Sequence, residues 1–179
     1  MLAYVVWHWP ATGLAAERYV ERLVAFHRIF AANPSPGFRG SEVFAIEGEP
    51  WSGAAATGAN LYEDWYFIDD FTALGALNEA AVTVARKDPH DTVAKLAGGG
   101  AGGVYRNVIV GRVGDEVSWF AKPPGTTYEE LFKRMPHGNS LWMRQMVLGP
   151  APEFRLAGPP PPGIAAATVR VRQLYRTES

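Results

Sequence analysis

The spacing of hydrophobic residues changes at one point of the chain. Between Leu61 and Ile68 apolar and aromatic residues dominate, as in a β-strand, whereas from Phe71 onward apolar residues recur at the spacing of a helix face. Asp69 and Asp70 separate the two patterns. Their carboxylates can accept hydrogen bonds from the free N–H groups of a first helical turn, where the helix dipole also favours negative charge. The pattern therefore predicts a strand that leads directly into a helix packed back on it.

The segment before this unit predicts a strand, a helix and a second strand. Residues 2–9 are mostly apolar and are followed by a proline, and residues 14–32 carry apolar side chains at helical intervals with charged residues between them. The Asn-Pro-Ser-Pro-Gly run at 33–37 ends this helix, because proline cannot continue it. Residues 38–47 have the β-branched and aromatic content of a strand, and a loop is predicted for residues 48–58.

The segment after the unit is less regular. The sequence PHDTVAKL at 89–96 is compatible with a short helix, and the GGGAGG run at 98–103 predicts a flexible loop, since glycine has no side chain to pack. We do not interpret this run as a phosphate-binding loop, because no Gly-Lys-Ser/Thr sequence ends it. Residues 104–113 predict a fourth strand, which completes the order β-α-β-β-α-β.

The rest of the chain begins the same order again in a shorter form. A strand, a short helix with a capping-box start and three further strands are predicted at residues 116–122, 126–135, 140–148, 153–156 and 167–176. No long second helix fits between Leu148 and Ala167. We therefore predict an α+β fold with a β-α-β-β-α-β domain over residues 1–113 and a shortened second half over residues 114–179.

Composition narrows the class of protein. A hydrophobic content of 47% with 20% charged residues is enough for a packed core, and the formal net charge of -1 argues against nucleic acid as a partner. The absence of cysteine excludes disulfides, thiolate catalysis and cysteine-ligated metals. The apolar start of the chain lacks the basic residues of a signal peptide, and no stretch is long enough to span a membrane. We therefore expect a cytoplasmic protein without a membrane partner.

Three segments carry a resemblance to a known superfamily. They are LAYVVWHW at 2–9, ANPSPGF at 32–38 and, above all, YEDWYFIDDFTALGAL at 62–77, in which an aromatic and acidic strand is followed by an acidic turn and an Ala- and Leu-rich helix. Together with the order of elements, they resemble the ferredoxin-like dimeric α+β barrel superfamily, which includes antibiotic-biosynthesis monooxygenases, EthD-like proteins and muconolactone isomerase-like proteins. The resemblance covers about residues 2–111, with a weaker echo over 115–176.

The resemblance implies that antiparallel sheets close into an α+β barrel, either within the chain or between the chains of a homodimer. It implies an aromatic-lined cavity for a small aromatic or polyketide-like ligand, and a cofactor-independent oxygenase or isomerase-like activity. A non-catalytic oligomerising or ligand-binding module is the alternative, and a haem-binding barrel is a third. The glycine-rich run, the missing last helix and the proline tract at 159–162 depart from the superfamily's pattern.

Strand alternation separates the candidate site residues into two faces. We expect the more apolar faces of the first and third strands to lie under the helices, so that the opposite faces look into the barrel or a cleft. Those opposite faces carry His8 and Asp64 as catalytic candidates, with Tyr4, Tyr62 and Tyr66 as candidate ligand contacts. A histidine, a carboxylate and phenols can supply a base, an orienting group and hydrogen-bond donors. The competing interpretation is that they only pair with one another across strands.

Further candidates lie elsewhere in the chain. Arg144 stands within an apolar strand, where it needs a carboxylate partner such as Asp64 or a ligand anion, and we count it with the catalytic candidates. Trp142 and the loop residue His137 are candidate ligand contacts. We interpret His27 as a boundary histidine, and the Asp88–Asp91 segment around His90 as a helix N-terminus. The four histidines are far apart and lack zinc-site spacing, so no metal site is predicted.

Overall fold

The computed structural model describes residues 1–49, 51, 60–145 and 151–178. Within this described part the chain forms eight strands and four helices, in the order β1 (Leu2–Pro10), α1 (Ala16–Ala32), β2 (Phe38–Glu47), β3 (Leu61–Ile68), α2 (Phe71–Ala81), α3 (Val84–Leu96), β4 (Ala97–Ile109), β5 (Glu116–Phe120), α4 (Tyr128–Lys133), β6 (Leu141–Gln145), β7 (Phe154–Ala157) and β8 (Ala167–Arg176). The predicted α+β fold is confirmed. None of the described helices combines the length and apolar character needed to cross a membrane.

All eight strands belong to one closed barrel. Its strand order is β1-β3-β2-β8-β5-β7-β6-β4, and each neighbouring pair is antiparallel. The seams between the first four strands and the last four are the pairs β2–β8 and β4–β6. The predicted antiparallel barrel is therefore present, and it closes within a single chain.

Helices α1, α2 and α3 cover the outer side of β1, β3 and part of β4. In α1 the buried residues Tyr19, Leu23, Phe26 and Phe30 recur every three or four positions, so they form the helix face that meets the sheet. Helix α2 begins as predicted at Asp70, whose carboxylate accepts a 2.9 Å hydrogen bond from the backbone N–H of Ala73. Helix α3 packs on α1 and α2. The short helix α4 has the predicted capping box and covers a separate apolar cluster.

The interior of the barrel is an aromatic core. Trp7, Trp65 and Trp119 are almost fully buried there, and ring centroids of Trp7 and Trp119 lie 5.5 Å apart in an edge-to-face arrangement. Such edge-to-face pairs add to the stabilisation that comes from area burial alone. Trp142 belongs to the same core, 5.0 Å from Trp65. Indoles from four different strands thus fill the barrel.

The glycine-rich run is a strand and not the predicted flexible loop. Residues 97–103 are the first half of β4 and pair with β1 in antiparallel register. A Cβ at Gly99 would overlap the indole of Trp9, and a Cβ at Gly100 would lie only 2.9 Å from the carbonyl oxygen of Trp7. Glycine is needed here because the neighbouring strand β1 carries very large side chains. The run is ordered by its backbone hydrogen bonds to β1, since its glycines have no side chains that could pack.

Other boundaries also differ from the predictions. Strand β4 ends at Ile109, short of the predicted end at residue 113, and the Asp88–Asp91 segment lies inside α3, whose N-cap is Thr83, and not at a helix start. Most of the predicted loop at 48–58 and residues 146–148 of the predicted strand at 140–148 lie outside the described residues.

The apolar faces of β1 and β3 lie inside the barrel and not under the helices as predicted, whereas the polar faces look onto a cleft, one of the two predicted alternatives. Trp7 and Trp65, on the apolar faces of β1 and β3, point into the barrel, whereas His8, Asp64 and Tyr66 lie on the outer faces under the helices. The physical reason is that a closed barrel shields its interior on every side, so it takes the largest apolar side chains. The polar face is left to the boundary with the helices, where helix side chains can pair with it.

Candidate functional site

The candidate site is a cleft of about 840 Å³ between the outer face of the sheet and helices α1, α2 and α3. Its walls are mostly apolar, and its polar side chains gather where β1 and β3 face α1. The polar and aromatic lining residues are Tyr4, His8, Tyr19, Phe26, Phe30, Asp64, Tyr66, Phe71, Asn78 and His90. An apolar cleft with a few convergent polar groups is the usual form of a small-molecule site.

Asp64 is the centre of the polar cluster. Its Oδ2 lies 3.1 Å from Nε2 of His8, 3.1 Å from Nε2 of His27, and accepts a 3.3 Å hydrogen bond from the hydroxyl of Tyr66. The other carboxylate oxygen, Oδ1, is buried and has no hydrogen-bond partner among the described residues. Asp64 is only 3% exposed. Its Oδ2 contacts His8, His27 and Tyr66, whereas its Oδ1 can still accept hydrogen bonds.

His8 connects Asp64 to a phenol. Its Nε2 faces Asp64, and its Nδ1 lies 2.7 Å from the hydroxyl of Tyr19 in α1. The approach of Nε2 to the carboxylate is an ion-pair distance without the alignment of a hydrogen bond, so the charge of Asp64 favours a proton on Nε2, while Nδ1 accepts the hydroxyl proton of Tyr19. A carboxylate, an imidazole and a phenol thus follow one another on the wall of the cleft. They come from β3, β1 and α1, and all three residues, Asp64, His8 and Tyr19, line the cleft.

His27 contacts the same carboxylate from a different position. It is fully buried in α1, and its Nδ1 lies 2.8 Å from the hydroxyl of Ser41 in β2. The backbone N–H of Ser41 in turn donates a 2.9 Å hydrogen bond to the hydroxyl of Thr177, just beyond β8. His27 does not line the cleft. His27 contacts Asp64 on the side away from the cleft, whereas His8 lines the cleft, where a ligand would lie.

The charges of the cluster favour an ionised carboxylate beside neutral phenols. Burial alone would raise the pKa of Asp64, but the attraction and hydrogen bonds that the His8 and His27 rings offer when protonated outweigh it and hold that pKa below its usual value. Burial, reinforced by the Asp64 charge, raises the pKa of Tyr66 and of Tyr19 well above that of a free phenol. Burial likewise raises the pKa of Tyr4. The phenols are therefore donors at neutral pH.

The structure brings some of the predicted site residues together and separates others. Tyr4, His8, Asp64 and Tyr66 line the cleft. Tyr62 does not line it and instead stacks on the outer side of His8, with 5.9 Å between ring centroids. The other three candidates are not among its lining residues, so the structure does not bring them together with His8 and Asp64.

Arg144, Trp142 and His137 lie away from the cleft. Trp142 packs in the aromatic core of the barrel. Arg144, two residues further along β6, lies opposite the core residue Tyr105, and its guanidinium donates a 2.6 Å hydrogen bond to the carbonyl oxygen of Ala151. The wall of the barrel therefore separates it from the carboxylate on the outer face of the sheet. His137 is exposed in the turn between α4 and β6.

Tyr19, His27 and Ser41 belong to the polar cluster of the candidate site, and the sequence pattern does not assign them to it. The spacing of α1 contains a signal for two of them, since Tyr19 and His27 are eight residues apart and share a face with Leu23 and Phe30. A polar residue on an otherwise buried helix face needs a polar partner on the sheet. The Ser41 contact has no comparable signal, because it depends on how β2 pairs with β3.

A second buried polar pair lies inside the barrel. Nη2 of Arg155 is 3.1 Å from Oε1 of Glu63, and both residues are at most 2% exposed. The indole N–H of Trp7 donates a 2.8 Å hydrogen bond to Oε2 of Glu63, and the indole of Trp65 donates to Oε1. The guanidinium of Arg155 lies over the Trp65 ring, 4.6 Å from its centroid. This pair is enclosed by indoles, so we assign it a structural role.

A larger groove of about 1140 Å³ runs along the seam between β2 and β8 beside the start of α1. Its charged residues, such as Glu17, Glu47 and Arg170, are exposed to solvent. No buried polar cluster of the described residues opens into it, so the cleft around Asp64 remains the candidate site. Within the described residues, no group of three or more histidine and carboxylate side chains has a metal-binding arrangement.

The chain was compared with family models, with curated proteins and with solved structures. No family model matches it, and neither the curated proteins nor the solved structures contain a match.

Proposed function

We propose that the protein binds a ring-sized, mostly apolar small molecule in the cleft and removes a proton from it without a cofactor. The observation that carries this proposal is the imidazole of His8, held 3.1 Å from the buried Asp64 carboxylate and 2.7 Å from the Tyr19 hydroxyl on the wall of a cavity of about 840 Å³. Such a carboxylate–imidazole–phenol sequence is an arrangement that can activate a hydroxyl as a base.

The proton path follows from the hydrogen bonds. A ligand proton passes to the hydroxyl oxygen of Tyr19 while the hydroxyl's own proton moves to Nδ1 of His8. The imidazolium that forms lies beside the Asp64 carboxylate, whose negative charge stabilises it, and the electron pair of the broken bond remains on the ligand as an enolate or phenolate. Tyr4, a neutral phenol on the cleft wall, can donate a hydrogen bond to that anion.

The fate of the anion distinguishes two reaction classes. Return of the proton to a different ligand atom gives an isomerisation, and reaction of the anion with dioxygen gives a cofactor-independent oxygenation. Both correspond to the activities that the superfamily resemblance implies.

We propose the same ancestry for the fold, with two ferredoxin-like copies, because the strand orders β4-β1-β3-β2 and β8-β5-β7-β6 repeat one arrangement. A homodimer remains a prediction, to be tested by light scattering, and closure of the barrel does not require one.

A labelling experiment tests the proposal across several classes of substrate at once. The protein is incubated in D₂O under ¹⁸O₂ with a set of phenols, 1,3-diketones and unsaturated ketones, and label uptake above the rate in buffer is measured by mass spectrometry. We expect deuterium or ¹⁸O uptake that Tyr19→Phe lowers at least about a hundredfold, in the range of a lost general base. Tyr128→Phe is the matched control, since Tyr128 is exposed and does not line the cleft.

The outcomes separate the alternatives. Equal uptake in Tyr19→Phe and the unmodified protein would refute the proton path. Binding in the cleft with no label uptake would favour a non-catalytic ligand-binding module. Haem would be revealed by a Soret band on reconstitution. His90 would be the residue to hold it, since both ring nitrogens of His8 and of His27 already contact protein groups.

A further inference from the structure

The cleft has an uneven charge distribution that bears on the kind of ligand it takes. Asp64 is the sole acidic residue among the described residues that line it, and neither lysine nor arginine is present in that set. A ligand carboxylate or phosphate would meet no fixed cation and would lie beside a carboxylate of the same sign. The lining therefore disfavours ligands that enter the cleft with a carboxylate or phosphate group.

Asp64 also has an unused acceptor. Its Oδ2 is held by His8, His27 and Tyr66, but its buried Oδ1 has no partner among the described residues. A buried carboxylate oxygen without a donor is unfavourable, and native structures usually satisfy such atoms with a side chain, a water or a ligand. Asp64 itself lines the cleft, so a ligand there lies beside a carboxylate that has acceptor capacity left.

Aromatic rings surround the same end of the cleft. Tyr4 and Tyr66 stack with their centroids 6.3 Å apart, and Phe26 and Phe30 meet edge to face at 5.1 Å. The faces of such rings attract cations, and a carboxylate next to them adds a charge-assisted hydrogen bond to a protonated nitrogen. The cleft thus has aromatic walls, a carboxylate and, among its described lining residues, no lysine or arginine. These features favour a hydrophobic amine as the ligand.

We propose that the cleft selects hydrophobic amines, with the protonated nitrogen of the ligand paired with the Asp64 carboxylate and the apolar body lying between α1, α2 and the sheet. The inference rests on the proposed function in one respect, namely that this cleft is the ligand site. It does not depend on the proton path through His8 and Tyr19.

Three ligands with one ring system and different head groups test the inference. 2-Naphthylmethylamine, 2-naphthalenemethanol and 2-naphthoate are titrated into the unmodified protein by calorimetry at pH 8, where an ordinary imidazole is neutral. We expect the amine to bind at least about tenfold more tightly than the carboxylate, with the alcohol between them. Equal or tighter binding of the carboxylate would overturn the inference, and this comparison needs no variant.

Two variants locate the effect. Asp64→Asn should reduce the preference for the amine over the alcohol to about threefold or less, because the amide lacks the charge that attracts the ammonium; an unchanged preference in folded Asp64→Asn would overturn the inference. Gly75→Trp should weaken the binding of all three ligands. Gly75 lines the cleft and no atom lies near its Cβ position, so the indole would occupy space that a ligand needs. Gly75→Ala is its control. If no ligand binds, or if Gly75→Trp has no effect, the cleft itself is not the site and the proposed function fails as well.

Discussion

Trp7 and Glu63 are direct partners across strands β1 and β3, and the indole N–H of Trp7 donates a 2.8 Å hydrogen bond to the carboxylate inside the barrel. One residue further along each strand, His8 and Asp64 meet on the opposite side of the same sheet. Two adjacent pairs of residues thus supply a buried structural network and the wall of the candidate site.

The interior network predicts a large stability cost when one charge is removed. Glu63→Gln leaves the guanidinium of Arg155 buried without a counter-charge, so we expect the free energy of unfolding to fall by about 3–5 kcal/mol. Urea unfolding measures it, and the double variant Glu63→Gln with Arg155→Met should recover part of the loss. The matched control is Glu129→Gln at an exposed ion pair, where the change should stay within about 0.5 kcal/mol. Equal effects at the two positions would contradict the assignment.

The contact behind His27 can be tested with a pair of serines. Ser41→Ala removes the hydroxyl that lies 2.8 Å from Nδ1 of His27, and leaving that buried nitrogen unpaired should lower the unfolding free energy by about 1–3 kcal/mol. Ser35 is also buried, but its hydroxyl has no hydrogen-bond partner among the described residues. Ser35→Ala should therefore be neutral or slightly stabilising. Urea unfolding of both variants checks this, and a larger loss for Ser35→Ala would refute the role of Ser41.

The buried phenols predict a loss of stability at alkaline pH. The pKa of Tyr66 is raised above its unfolded value of about 10, chiefly by burial and then by Asp64, so its contribution is fully present below pH 10 and is lost as pH rises from there toward the folded pKa. We expect the unfolding free energy of the protein to fall between about pH 10 and pH 11. Tyr66→Phe should make this fall shallower by about 1.4 kcal/mol per pH unit. An unchanged slope would show that Tyr66 ionises freely in the folded state.

Two glycines predict opposite effects of the same substitution. Gly37 has φ of 75° and a Cβ there would approach Cβ of Ala73 at 2.5 Å, so Gly37→Ala should destabilise the protein by about 1 kcal/mol or more. Gly75 lies within α2 with no atom near its Cβ position, so Gly75→Ala should stabilise the protein by about 0.5–1 kcal/mol. Thermal melts compare the two variants directly, and a stabilising Gly37→Ala would contradict the described turn.

Much of the secondary structure follows from local sequence. Strands β2, β3 and β8 have the predicted bounds, and α2 begins at the predicted Asp70 cap, because side-chain period and capping are properties of neighbouring residues. The prediction of a flexible loop at 98–103 is wrong, because the structure of this run does not depend on neighbouring residues. The order of this run comes from pairing with β1, a strand about ninety residues earlier, and no local pattern reports that partner.

The candidate site is predictable from the sequence only in part. Alternation along β1 and β3 correctly groups His8 with Asp64 and Tyr4 with Tyr66, since residues two apart share a face. It does not say which face a barrel encloses, and the preference of the closed interior for indoles decides that. Tyr19 and His27 reach Asp64 and its partner His8 through the rotation of α1 on the sheet, which is a tertiary property.

The closure of the barrel through β2 and β8 has a consequence for synthesis. Strand β8 pairs with residues more than one hundred positions earlier, and Thr177, next to it, completes the hydrogen-bond chain through Ser41 and His27 to Asp64. Long-range pairing of this kind forms late, because a large loop must be closed first. A ribosome-bound chain that lacks β8 therefore has β2 unpaired on one side, and we expect incomplete translation products to expose this open sheet edge to chaperones and proteases.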